Sequence, residues 1–229
     1  MFSNLVFVMD NPETYKSREM EKYMHEQRHR NDRQWVTNVI QGLQETEYVK
    51  VRNADFVILP DLAPEPCKKP PHSTHASKRP PQAQLNWLVL FTSQELRTIR
   101  DLRGEHVELL QRVKDECMAA VQREYEFMPR DVMIFANYPP SVFSLHFHVC
   151  CPFKAAAPFD AFRMHTLKSI IHNLKVDSEY YTRYSLHIPV SYCSRLYHAL
   201  VGSPPDLPAD SALAQKYLRL WKRALTDER

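Results

Sequence analysis

The sequence predicts an α+β fold, with an antiparallel sheet and two main helices, from three observations. Residues 131–138 and 142–151 have the composition of strands and are separated only by Pro139-Pro140, which favours an antiparallel pair. Residues 104–127 have apolar side chains at helical spacing, and so form a long helix with one buried face. A second amphipathic stretch, 159–174, follows the strand pair, and this mixture of elements is typical of the α+β class.

The other elements follow in chain order from the same two periodicities. The charged stretch 13–33 has no strong apolar stripe and is interpreted as a solvated helix. Residues 64–83 are rich in proline and lysine, cannot supply a core and are interpreted as an exposed insertion. Further predicted elements are strands at 47–51, 56–59, 85–91 and 184–190, and short helical stretches at 35–43, 192–200 and 212–225.

Composition excludes several classes of protein. With 229 residues, 44% of them hydrophobic, the chain can bury a core, and a net charge of +3 does not favour binding to long duplex nucleic acid. Its three glycines lie far apart, which excludes a Walker loop and a dinucleotide fingerprint. No stretch approaches the roughly 18 apolar residues of a membrane span. Five cysteines without ribbon spacing indicate reduced thiols, so we expect a cytoplasmic protein and leave residence in the nucleus open.

One strand carries polar, metal-capable side chains at every second position. In the run from Ser144 to Cys150, these are Ser144, His146, His148 and Cys150, and on a strand they share one face. The residues alone leave three interpretations open. A zinc site would use both histidines with Cys150 or Cys151, a nucleophilic site would use one imidazole to attack phosphorus, and a structural role would need only hydrogen bonds.

The flanking residues resemble the active strand of the scavenger mRNA-decapping enzymes of the histidine-triad superfamily. The stretch from Tyr138 to Val149 is similar to that strand, and it places His146 in the central histidine position. Residues 58–62 and 99–110 resemble the end of the family's cap-pocket strand and its first long helix. Residues 34–40 resemble the segment with the cap-stacking tryptophan. The resemblance implies a histidine-triad fold with a short N-terminal helical and strand extension.

The resemblance also implies an activity and a set of residues. His146 would attack a phosphate of the N7-methylguanosine cap, leaving a nucleotidyl-histidine that water cleaves to N7-methylguanosine monophosphate, without a metal or other cofactor. His148 and Ser144 would assist as catalytic residues, and His148, Ser141 and Asn137 would bind phosphate oxygens. The cap base would be bound by Trp35, Glu45, Pro60, Asp61 and Leu62.

The resemblance implies that the partners are a cap dinucleotide or short capped RNA and a second copy of the chain in a homodimer, with no membrane. Ser144 occupies the first histidine position of the triad, and Ala63 occupies a lysine position. Most of the family's large N-terminal domain is expected to be missing. Two alternatives stay open: a cap-binding or regulatory protein with weak chemistry, and a general dinucleoside polyphosphate hydrolase or nucleotidyl transferase. We divide the chain into an extension with the cap-stacking segment, 1–55, a histidine-triad domain, 56–200, and a helical tail, 201–229.

Overall fold

The structure is a computed structural model that describes residues 5–29, 34–61, 85–125, 127–151, 162–191 and 194–201. The predicted helix at 212–225 and the whole of the insertion at 64–83 lie outside the described residues. In chain order the elements are β1 (Leu5–Asp10), α1 (Pro12–Tyr15), α2 (Arg18–Arg28), α3 (Gln34–Ile40), β2 (Val51–Arg52), β3 (Phe56–Pro60), β4 (Asn86–Phe91), α4 (Val107–Tyr125), β5 (Met133–Asn137), β6 (His146–Cys150), β7 (Met164–Thr166), α5 (Leu167–Val176), α6 (Tyr180–Arg183), β8 (Leu186–Ser191) and α7 (Arg195–Val201).

Six of the described strands form one sheet, in the order β2-β3-β4-β6-β5-β7. Every neighbouring pair is antiparallel, including β5 and β6, which the proline turn predicted. The α+β class with an antiparallel sheet and two main helices is therefore confirmed. The strands β1 and β8 pair with each other in a separate two-stranded ribbon.

One face of the main sheet, here called the helix face, packs against α4 and α5. Phe147 and Val149 of β6 are fully buried there beside Val89 of β4. The apolar stripe that predicted α4 lies in the same cluster, and Leu110, Val113, Cys117 and Val121 have no exposed surface. Because side chains alternate along a strand, this packing determines which residues of β6 point to the opposite face.

The opposite face, here called the histidine face, carries His146 and His148. The register places His146 opposite Leu90 and His148 opposite Leu88. Leu88 and Leu90 form a smaller apolar cluster with Val57 and Leu59 of β3, Val142, and Val36 and Val39 of α3. Helix α3 therefore covers part of the histidine face, on the side of the sheet towards β2 and β3.

Three sequence assignments were wrong in their details. The stretch 13–33 is not a solvated helix, because Met20 and Met24 of α2 are each only 1% exposed and belong to the main core. These two residues lie four positions apart on one helix face, and the charged residues between them hide that pairing in the sequence. The stretch 47–51 forms a 3-10 turn at 46–48 and a two-residue strand, β2.

The third error concerns where two elements begin, the strand β6 and the helix α5. Strand β6 begins at His146 and not at residue 142, so Ser144 lies in the preceding loop. The helix predicted at 159–174 begins at Leu167, where Thr166 accepts a hydrogen bond from the Ser169 N–H and caps the helix. Residues 164–166 form β7 instead. Within the described ranges, no helix combines the length and apolar character needed to cross a lipid bilayer.

Candidate active site

The imidazole of His146 is held by the main chain next to it. Only 8% of His146 is exposed, and its Nδ1 lies 2.8 Å from the carbonyl oxygen of Ser144. A carbonyl oxygen only accepts hydrogen bonds, so Nδ1 must carry the proton and donate it. In the neutral ring the lone pair is then on Nε2. The fold thus selects the tautomer in which Nε2 has the free lone pair.

His148 lies two residues further along β6, on the same face. Its ring stacks on Phe135 of β5 at 5.1 Å between centroids, and its centroid lies 5.3 Å from that of His146. Burial, together with the nearby His146 and Arg163, lowers the pKa of His148 to about 4. His148 is therefore neutral near pH 7 and does not add a second positive charge.

Asn137, at the end of β5, contacts His148. The side-chain nitrogen of Asn137 is 3.4 Å from Nε2 of His148. The amide oxygen of Asn137 is buried and has no hydrogen-bond partner among the described residues. The nitrogen of the Asn137 amide thus lies beside a ring nitrogen of His148, while its oxygen has no hydrogen-bond partner among the described residues. Ser141, which was predicted to bind phosphate with it, lies exposed in the loop between β5 and β6.

Arg163 is a charged residue of the site that sequence reasoning missed. It falls, like His165, in the stretch 159–174 that was predicted as a helix, but both residues precede the helix, and His165 lies on β7. The Arg163 guanidinium donates to the carbonyl of Pro139, and its own carbonyl accepts from the Tyr138 N–H at 2.8 Å. Its positive charge contributes to the lowered pKa of His148. The sequence signal was Thr166, a helix N-cap residue directly before an apolar periodic run.

Trp35 lies on α3, whose apolar side packs on the histidine face. Its ring is partly buried against the cluster that contains Val36 and Val39. The helix ends two residues before Gly42, which has a left-handed φ of 72°. The guanidinium of Arg52 donates to the last carbonyls of α3, those of Val39 and Ile40, at 2.9 Å each. Trp35 is therefore on the same face of the sheet as His146 and His148.

Two of the residues predicted to recognise the base, Glu45 and Asp61, are carboxylates. Burial, with a smaller effect from Glu47 and Asp61, raises the pKa of Glu45, so Glu45 and Asp61 interact electrostatically. Asp61 follows β3, and its N–H donates to the carbonyl of Asn86 at 2.8 Å. Pro60 lies opposite Trp87, a residue of the helix face, and is not brought to the histidine face. Leu62 lies outside the described residues.

A zinc site would need a third ligand beside the two histidines. In the part of the chain that the structure describes, no group of three histidine, cysteine, aspartate or glutamate side chains is arranged to hold a metal ion. Cys150 is buried at the end of β6, and Cys151 is buried just beyond it. The described residues therefore give no support to the zinc interpretation of this strand.

Comparisons with known proteins agree with the sequence motifs. A family model described as scavenger mRNA decapping enzyme C-term binding matches residues 34–165, more than half of the chain. An m7GpppX diphosphatase from Bos taurus is 29% identical over 160 residues, 67% of this chain and 43% of the relative. One from Schizosaccharomyces pombe is 25% identical over 120 residues, 51% of this chain and 35% of the relative. The chain thus spans less than half the length of these curated relatives.

Among solved structures, Hnt3 in complex with DNA and guanosine matches 85% of this chain and 97% of its own, at 10% identity and a TM-score of 0.36. We draw no conclusion from so distant a likeness. The family resemblance predicted from the sequence is confirmed by the family model and the relatives. The matched region contains α3, the histidine strand β6 and Arg163. The chain therefore belongs to the scavenger mRNA decapping enzyme C-terminal binding family.

Proposed function

We propose that the chain is a metal-independent pyrophosphohydrolase that cleaves N7-methylguanosine cap dinucleotide or short capped RNA and releases N7-methylguanosine monophosphate. The observation that carries the proposal is the hydrogen bond from Nδ1 of His146 to the Ser144 carbonyl, which leaves the lone pair on Nε2. A nucleophilic imidazole needs this arrangement, because the attacking nitrogen must be unprotonated at neutral pH.

The reaction has two steps at phosphorus. Nε2 of His146 attacks the phosphate next to the methylated nucleoside, a P–N bond forms, and the bond to the bridging oxygen breaks so that the remaining diphosphate leaves. Water then attacks the same phosphorus and loses a proton to solvent, the P–N bond breaks, and the ring nitrogen regains its lone pair. Nδ1 keeps its proton throughout, and its hydrogen bond to the Ser144 carbonyl stabilises the positive charge of the substituted ring.

Three groups suit the charge that builds on the phosphate oxygens. The amide of Asn137 and the neutral ring of His148 supply hydrogen-bond donors, and Arg163 supplies a positive charge close to His148. Donors fixed in a partly buried site lower the barrier because they need no reorganisation as charge develops. Ser141 would add a hydroxyl from the loop that leads into β6.

The base would bind beside α3. N7-methylguanine is cationic, and stacking on the Trp35 ring gains from the electrostatic attraction between a cation and an aromatic face. Glu45 and Asp61 lie close enough to influence each other, and a pair of carboxylates favours a cationic base with N–H groups on its edge. Burial and, to a smaller extent, Glu47 and Asp61 raise the pKa of Glu45, and a bound cation would lower it again by favouring the charged carboxylate.

Replacing His146 with Asn tests the proposal. The wild type and the variant are incubated without metal with the methylated cap dinucleotide and its unmethylated counterpart, and products are identified. We expect the wild type to release N7-methylguanosine monophosphate and the variant to lose at least about 10³-fold in kcat, since the nucleophile is removed. His172, which is exposed on α5, gives the matched control His172→Asn, for which we expect unchanged turnover.

The outcomes separate the open alternatives. Binding of methylated cap without turnover would replace the proposal by a cap-binding or regulatory protein. Equal turnover of dinucleoside polyphosphates with and without the methyl group would favour a general hydrolase. If the protein showed no turnover and no binding of methylated cap, all three hypotheses would be contradicted. The homodimer, the cytoplasmic location and the three-part division of the chain remain predictions, and the mass in solution tests the first of them.

A further inference from the structure

An ion pair is buried between the N-terminal strand and the core. Asp10 ends β1 and has no exposed surface, and Arg100, in the 3-10 turn at 99–101, is 2% exposed. Nε and Nη2 of Arg100 donate to Oδ2 of Asp10 at 2.9 and 2.8 Å. Nη1 of Arg100 donates to the carbonyls of Tyr181 and Tyr184. The donors of Arg100 are thus distributed over several fixed acceptors, so its position is well determined.

Tyr138 is the third member of this group. Its hydroxyl donates to the same Oδ2 of Asp10 at 2.5 Å, and the Arg100 guanidinium lies 5.7 Å from the centroid of its ring. The Tyr138 side chain is almost fully buried, at 1% exposure. Its hydroxyl therefore has one fixed acceptor, whose negative charge is balanced by Arg100.

Stability alone does not account for such a group. Removing two charges from water costs several kcal/mol per ion, and well-packed apolar side chains of similar volume are often as good or better for stability. The charged group instead fixes the position of the Tyr138 side chain, because a short hydrogen bond to a fixed carboxylate specifies where the tyrosine hydroxyl lies. The relevant question is which part of the chain Tyr138 holds in place.

Tyr138 connects two parts of the candidate site. It follows Asn137, whose amide contacts His148, and it precedes the loop that carries Ser141 and leads to His146. Its main-chain N–H donates to the carbonyl of Arg163 at 2.8 Å. A displacement of Tyr138 would therefore move both Asn137 and Arg163 relative to His148.

We infer that Asp10 and Arg100 are positioning residues that act through Tyr138 to hold Asn137 and Arg163 beside His148. The inference rests on the proposed function. Asp10 lies outside the residues 34–165 that match the family model, whereas Arg100 and Tyr138 lie inside them. The N-terminal strand thus contributes to the geometry of the phosphate site without touching the substrate.

Tyr138→Phe is the mildest test, since it removes only the hydroxyl and leaves the Asp10–Arg100 pair intact. We expect kcat to fall about tenfold, less than the roughly 10²-fold that a 1 Å misplacement costs. The Kd for methylated cap, measured in the His146→Asn background, should change less than about twofold. Tyr181→Phe is the matched control, because Tyr181 is equally buried, its hydroxyl accepts from the Asn173 amide, and the main-chain carbonyl that Arg100 contacts is kept.

A second readout does not depend on turnover. In nitrogen-labelled histidine spectra, we expect the ring signals of His148 to shift in Tyr138→Phe and in Asp10→Asn, but not in Tyr181→Phe. Unchanged His148 signals together with unchanged kcat in Tyr138→Phe would overturn the inference. A wild type without turnover would contradict the proposed function, while the His148 signals would still decide the positioning role. A loss of kcat of equal size in Tyr181→Phe would also overturn it, since any buried hydroxyl would then have the same effect.

Discussion

Arg52 is predicted to support cap binding indirectly, because it holds the helix that carries Trp35. Helix α3, which carries Trp35, has only seven residues, and a helix of that length is unstable in isolation. Its last carbonyls, those of Val39 and Ile40, accept hydrogen bonds from the Arg52 guanidinium. Replacing Arg52 with Met keeps most of the side-chain length and removes both bonds.

The magnitude follows from these two contacts. A positive charge at a helix C-terminus contributes about 0.3–1 kcal/mol, and a hydrogen bond contributes about 0.5–1.5 kcal/mol net. Because Arg52 is exposed, we take a value near the lower end of the combined range, about 1–2 kcal/mol for the whole group. If the cap binds only when α3 is seated on the histidine face, its affinity falls by the same free energy, which is about 5- to 30-fold.

The assay is the Kd for methylated cap dinucleotide, measured in the His146→Asn background so that no substrate is consumed. Trp35→Ala gives the upper limit, because loss of base stacking costs about 1–3 kcal/mol. Arg183→Met is the matched control, since Arg183, the last residue of α6, is exposed and pairs with Asp177. Its Kd should equal that of the unmutated background.

Two results would refute the reasoning. If Arg52→Met bound methylated cap as tightly as the background while Trp35→Ala did not, the helix would be seated without its C-terminal contacts. If the variant lost affinity equally for methylated and unmethylated guanine, Arg52 would act on the ligand by charge and not through Trp35. Circular dichroism should show that the arginine variants keep the helices outside α3.

The remaining predictions concern the phosphate site. Arg163→Met should lower kcat by about 10²-fold in the cap dinucleotide assay with a smaller change in Kd, because the guanidinium stabilises charge that builds in the transition state; a change in Kd alone would contradict this. Ser144→Ala should cost less than about tenfold in kcat, since the Ser144 carbonyl and not its hydroxyl accepts from His146. The pKa values of His148 and His165 fall from 6.5 to about 4 on folding, both chiefly through burial. On acidification the unfolded chain is protonated first, so the free energy of unfolding should be constant above pH 6.5 and fall between pH 6.5 and 4, by about 2 kcal/mol per histidine at pH 5. Urea denaturation at pH 7 and pH 5 measures this, and equal values would contradict it.

The sequence predicted best where a periodic pattern coincided with burial. The apolar residues of α4 repeat at helical spacing and are buried, and Phe147 and Val149 alternate with the histidines because β6 is covered on one face. The start of β6 was placed too early for a related reason. Val142 and Phe143 are buried but lie in a loop, and burial without pairing cannot be distinguished from a strand in one sequence.

Other features were beyond local patterns. Asp10 pairs with Arg100 across 90 positions, and its bond to Tyr138 spans 128 positions, so no spacing rule connects them. The approach of Glu45 to Asp61 depends in the same way on how α3 and β3 are packed. Arg163 was misplaced because its apolar successors were counted into one helix, although the N-cap Thr166 separated them.

The same alternation along β6 determines both its packing and its chemistry. Phe147 and Val149 set the register on the helix face, and a slip by one residue would turn His146 and His148 into the core. The tautomer of His146 is then selected by a main-chain carbonyl, which is present whatever side chain stands at position 144. A histidine can therefore be replaced by Ser144 without loss of this hydrogen bond, because the geometry that leaves the lone pair on Nε2 comes from the strand and the turn before it. In the proposed reaction, specificity would then come from the side chains that face the phosphate.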